Sequence, residues 1–145
     1  MKEIWSEIEK EYEMGKRVFG KKIKFVKDKF KRKIIFRDVA QSFKLVNTGF
    51  PKPALILAGG VIEELLRLYL DDKGVKTDKN NFDSYIKKCE ESKLLKSPIG
   101  HLNQAVRHFR NMVHLEKEET QETTINKAKA KTAVSAIFAI VNAFN

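Results

Sequence analysis

Cysteine is almost missing from this 145-residue chain. Cys89 stands alone, so no intramolecular disulfide can form and no cysteine-based zinc motif is available. Proline occurs only at positions 51, 53 and 98, which leaves long stretches free to run as unbroken helices. No apolar run is long enough to span a bilayer, which takes about 20 residues. The longest, Ala54–Ile62 and Ala133–Val141, fall well short. The opening MKEIWSEIEKEYE is acidic and amphipathic and carries no signal-peptide pattern. A soluble cytoplasmic protein that does not contact membranes is the expectation. Histidine is scarce too. His101, His108 and His114 do not share a helical face, and no carboxylate is spaced to complete a ligand set, so neither a metal nor a cofactor is expected. A glycine-rich phosphate loop, internal repeats and low-complexity tracts are all absent.

Acid is the residue type most unevenly missing. Residues 16–37 hold eleven basic side chains against the single acid Asp28. The chain as a whole has 29 basic and 19 acidic residues, net +10; outside this segment eighteen of each remain, so the rest is neutral. A charge excess confined to one stretch is the footprint of a polyanion-binding surface. Lys24, Lys27, Lys29, Lys31, Arg32 and Lys33 are its densest part and the candidate nucleic-acid contacts. They are expected to bind RNA or DNA through phosphates, with little sequence preference.

The remaining composition is that of an ordinary folded domain, 42% hydrophobic and 33% charged, and the length fits one domain with a real core over residues 1–145. Ile4, Ile8, Tyr12, Gly15, Phe19, Ile23 and Val26 recur at steps of three and four. This spacing predicts a helix over 3–26, although Gly15 and Gly20 each weaken it by about 1 kcal/mol relative to alanine. A basic hairpin over 21–36 is the alternative, since K-I-K-F and K-I-I-F carry some strand alternation. A second helix is expected over about 30–48, on the stripe Phe36, Val39, Ala40, Phe43 and Val46. After Gly49, Pro51 and Pro53, the segment ALILAGGVIEELLRLYLDD (54–72) is hydrophobic on nearly every side and should be the central buried helix. Gly59 and Gly60 within it suit a close backbone approach, in the core or across a dimer seam. Gly74 should end it. A short helix over 82–93, another over Pro98–Glu116 and a last one starting near Ile125 complete the chain. The fold class read from this pattern is all-α, an up-and-down bundle of four to six helices.

The Pro98–Glu116 helix carries the chemistry-bearing residues. Ser97 and Pro98 make a good helix start. At about 100° per residue, Asn103, Arg107, Arg110 and His114 project within roughly 60° of one another, with Asn111 just beyond and His108 on the opposite edge. Two guanidinium groups and an imidazole on one edge suit a phosphate. Glu64 sits among apolar residues and needs a partner, for which Arg107 or Arg110 is the natural candidate. Glu63 is placed to bridge Arg67 at i+4. Cys89 reads as a small core residue.

Two segments together resemble a known family. KPALILAGGVIEELLR (52–67) and VRHFRNMVH (106–114) resemble, in the expected order, the two motif helices of HEPN domains, particularly the DUF4145-like branch. The resemblance covers roughly residues 36–144. It implies a HEPN-like helical bundle that forms a homodimer. It also implies a metal-independent RNA endonuclease of toxin–antitoxin, defence or RNA-processing systems, with an antitoxin or nucleotidyltransferase as partner. On that resemblance Arg110, Asn111 and His114 match the R-N…H motif and are the catalytic candidates, with Arg107 beside them and Glu64 and Asn103 in support. The family pattern leaves four to six residues between arginine and histidine. Arg110 to His114 leaves three and Arg107 to His114 leaves six, so the motif arginine is Arg107 or Arg110. Many members of the family have no shown nuclease activity, and a non-catalytic helical module that binds RNA or a protein is the alternative.

Overall fold

The longest of the described helices is strongly apolar and sits at the centre. In a computed structural model, which describes residues 2–96 and 125–144, it runs Pro51–Asp72 (α4). Before it come α1 (Lys2–Tyr12), α2 (Lys16–Lys22) and α3 (Lys29–Asn47); after it come α5 (Phe82–Glu91) and α6 (Lys127–Ala143). The described residues contain no strand. One antiparallel bridge pairs Leu95 with Phe144, where the Lys96 N–H donates to the Ala143 carbonyl at 2.7 Å. The protein is an all-α bundle. The expected Pro98–Glu116 helix and the charged loop after it lie outside the described residues.

Helix α4 is walled by α3, α6 and α5, and Leu55, Ile62, Leu65 and Leu66 are wholly buried there. Burial of each such side chain contributes about 1.5–3 kcal/mol. The apolar surplus of this helix is thus mostly taken up within the chain, with Ile56 left exposed. Gly59 is buried. Gly60 is exposed, and among the described residues a Cβ there would meet nothing within 4 Å, so none of them makes a close backbone approach to it. Gly74 ends α4 as expected: at φ +69° it lets Val75 N–H reach the Leu70 carbonyl and its own N–H reach Asp71, at 3.0 and 3.1 Å. That pair of bonds is a Schellman cap.

The single helix expected over 3–26 is a correction. The chain breaks between Tyr12 and Lys16, where Glu13 takes φ 56° and Gly15 is extended as the N-cap of α2. The buried Met14 fills the corner. The hairpin alternative over 21–36 does not form either: α2 ends at Lys22 and α3 begins at Lys29. The periodic stripe itself faces inward on both pieces, with Ile8, Phe19, Ile23 and Val26 all buried. The break lets α1 pack on α3 while α2 packs on α6. Tyr12 then stacks on Phe138 at 4.4 Å between ring centroids, and Phe19 meets Phe138 edge-on at 6.0 Å.

Candidate nucleic-acid interface

The basic segment folds as α2, the connector 23–28 and the first half of α3. Its one acid is occupied. Asp28 is the N-cap of α3, and its carboxylate accepts the Lys31 N–H at 3.0 Å, which satisfies an otherwise orphan donor.

The cations divide into two groups. Lys24, Lys27, Lys29 and Lys33 are exposed. Lys31 and Arg32 are half-buried and engaged with the protein. The Lys31 ammonium lies 3.3 Å from Glu64. The Arg32 guanidinium donates to the carbonyls of Ile23 (2.9 Å), Gly20 (3.0 Å) and Val26 (3.3 Å). These are carbonyls at and just past the end of α2, which have no partner inside that helix. Arg32 therefore ties α2 to α3.

Three concavities flank this segment, and one of them, about 330 Å³, sets Lys27 and Lys31 beside Asp28, Asp71 and Asp72. Among the described residues a groove of about 740 Å³ is lined by Trp5, Lys16, Lys29, Phe30, Arg32, Lys33, Ile34, Phe36 and Arg37: five cations, three aromatic rings and no carboxylate. Phe36 is flanked by Lys16 and Arg32, 5.4 and 5.7 Å from its ring centroid, and Arg37 pairs with Asp38 at 2.9 Å. Another hollow of about 280 Å³ gathers Lys21, Lys22, Lys24, Lys27, Lys73 and Lys96 around Phe25, Tyr69 and Phe144, with Asp72 as its one carboxylate among the described residues. Its three rings pack with centroids 4.4–5.2 Å apart, and the Tyr69 hydroxyl donates to the Leu94 carbonyl at 2.7 Å. The ring cluster and that bond hold the end of α4, the 94–96 segment and the end of α6 together. Lys73 and Lys96 thereby reach the same surface as residues 21–27.

Sequence reasoning placed the segment and missed these additions. Lys73 and Lys96 carry no local signal, since each sits in a neutral neighbourhood. Phe30 does carry one: it lies about 120° around α3 from Phe36, off the apolar stripe.

Glu64 is not the buried carboxylate that its apolar neighbours suggested; its side chain is 36% exposed. Arg67 from the next turn grips both its oxygens, and Lys31 adds the 3.3 Å contact. The Arg67 hydrogen bonds, with smaller help from Lys31, hold the Glu64 carboxyl below its ordinary value. Arg67 also reaches Asp71 at 3.5 Å. Cys89 is buried, and burial, with a smaller push from Glu90, raises its thiol to about 12. It is a core residue and no nucleophile at neutral pH.

Asn103, Arg107, Arg110, Asn111 and His114 lie outside the described residues, as do His101 and His108. Among the described residues no three metal-ligating side chains converge, and no helix is long and apolar enough to cross a membrane. No family model matches the chain, and neither a curated protein nor a solved structure gives a significant match to it.

Proposed function

We propose that this chain is a helical module that binds RNA through a basic face, by phosphate contacts that do not read sequence. The observation that carries this is the convergence of Lys73 and Lys96 on Lys21, Lys22, Lys24 and Lys27 around a hollow that holds one acid among the described residues. Like charges gathered from three separate parts of the chain repel one another, and a bound polyanion relieves that repulsion while releasing its own counterions. The test is titration of labelled RNA at rising salt. Affinity should fall steeply from low to moderate salt. Replacing Lys24, Lys27, Lys73 and Lys96 by glutamine should flatten that slope. An unchanged slope would reduce the face to a solvated surface.

The Arg/His edge of the sequence favours a second reading, a HEPN-type metal-independent endoribonuclease acting as a homodimer. His114 would exchange a proton with the RNA 2′-hydroxyl or the leaving oxygen. Arg110, with Arg107 and Asn111 beside it, would stabilise the charge developing on the phosphate. Cleavage would then persist in EDTA, leave a 2′,3′-cyclic phosphate and spare DNA. His114→Ala would lower turnover by roughly 10²–10⁴-fold, with His108→Ala nearly silent. RNAs left intact by purified protein would retain the binding module alone.

A further inference from the structure

We infer that the groove along the first two turns of α3 is a binding site for single-stranded nucleic acid, with a base stacked on Phe30 and the flanking phosphates held by Lys29 and Lys33. Phe30 is 71% exposed, the most exposed of the large apolar side chains described. Among the described residues no ring or cation packs against it, whereas Phe36 in the same groove already has Lys16 and Arg32 beside it. Lys29 and Lys33 are four residues apart on α3, a spacing at which like charges repel. Both are exposed, and among the described residues neither has a carboxylate partner. One free aromatic face beside two free cations, in a cleft lined by no acid among the described residues, is the combination that sequence-tolerant single-strand binding uses: stacking on the base and attraction for the backbone. The volume, about 740 Å³, lies within the range of small-ligand clefts, about 300–1,000 Å³. A nucleotide unit fits that space and a duplex does not. A base held inside a duplex also cannot offer its face to a ring standing in a concavity. No group in the groove singles out the 2′-hydroxyl, so RNA and DNA single strands should bind it alike.

This inference rests on the phosphate-binding reading above and adds the strandedness of the ligand. Fluorescence anisotropy of labelled oligouridylate, oligodeoxythymidylate and a blunt duplex separates the two. The single strands should bind more tightly than the duplex. Phe30→Ala should weaken single-strand binding by about 5- to 100-fold, the usual loss when one stacking ring is removed, and Phe30→Trp should restore it. Because Phe30 is exposed, the helical circular dichroism and melting of both variants should match the parent. Replacing Lys29 and Lys33 with glutamine should lower the salt slope by about 0.7 for each phosphate no longer neutralised. Equal affinity for single strands and duplex, with Phe30→Ala silent, would overturn the inference and leave the phosphate-binding reading standing. No binding of any oligonucleotide at low salt would overturn both. So would Phe30-dependent capture by phosphatidylserine vesicles without oligonucleotide binding, which would make the patch a membrane contact.

Discussion

Arg32 shows how far one side chain's role departs from its charge. In the sequence it is one of eleven cations in a row of twenty-two residues. In the fold its three carbonyl contacts close the end of α2. Gly20 is small because of it: a Cβ there would lie 3.1 Å from the Arg32 guanidinium and 3.2 Å from the Phe36 ring. Arg32→Ala should therefore cost stability, about 1.5–3 kcal/mol for hydrogen bonds to a charged group, measured by urea unfolding. Arg32→Lys should recover only part, because an ammonium cannot fork to several carbonyls. Equal unfolding midpoints for parent and Arg32→Ala would remove the tie. Glu64 supplies a pH test. Its carboxyl is held below the ordinary 4.5 by Arg67 first and Lys31 next. The contribution of its ion pairs is thus complete above about pH 4.5 and is lost as the pH falls through the lowered native value. The size is that of a solvent-screened pair, about 0–1 kcal/mol. Thermal melts of the parent and Glu64→Gln should differ slightly at pH 7 and converge as acid protonates Glu64.

At the scale of elements, helix ends are set by short-range chemistry. Asp28, Asn81 and Asn126 each accept a backbone N–H three residues on, at 2.9–3.0 Å, and begin α3, α5 and α6. The C-terminal ends of α4 and α5 use the same Schellman bonds, but with different residues at the left-handed position. Gly74 serves α4, while Lys93 at φ 52° serves α5, with Leu94 N–H reaching the Cys89 carbonyl at 3.2 Å. A side chain at that position is strained where glycine is not. Lys93→Gly should raise stability by about 1 kcal/mol, and Gly74→Ala should lower it by a similar amount. Calorimetry that finds Lys93→Gly neutral or destabilising would show that α5 gains nothing from a relaxed cap.

For the whole molecule, the proposed assembly is a homodimer. Apolar excess on α4 gives it little support, because α3, α5 and α6 cover most of that helix within one chain and leave Ile56 exposed. What favours it is the resemblance of 52–67 and 106–114 to motif helices that meet across a dimer. A net charge of +10 opposes self-association, so a dimer should strengthen with salt while RNA binding weakens. Light scattering across a salt series should show twice the chain mass at high micromolar concentration. A monomer under every condition would leave the shared-cleft nuclease without its second half and return the protein to the binding-module reading.

The sequence by itself determined the helical class, the extents of α3 to α6 within a few residues, and which side chains turn inward. Those are local matters: apolar spacing, caps and glycine signals act over one or two turns. Even where the 3–26 helix breaks in two, its stripe from Ile4 to Val26 faces the core, because burial follows period and tolerates a corner at Glu13–Gly15. Only the tertiary structure decided which cations are available. Lys31 and Arg32 look the same as Lys29 and Lys33 in the chain, yet the first pair is tied to Glu64 and to the carbonyls ending α2, while the second pair faces solvent. Lys73 and Lys96 join the basic surface because Tyr69 binds Leu94 and Lys96 binds Ala143. Whether a charge is neutralised depends on what folding brings within a few ångströms, and no spacing along the chain encodes that distance.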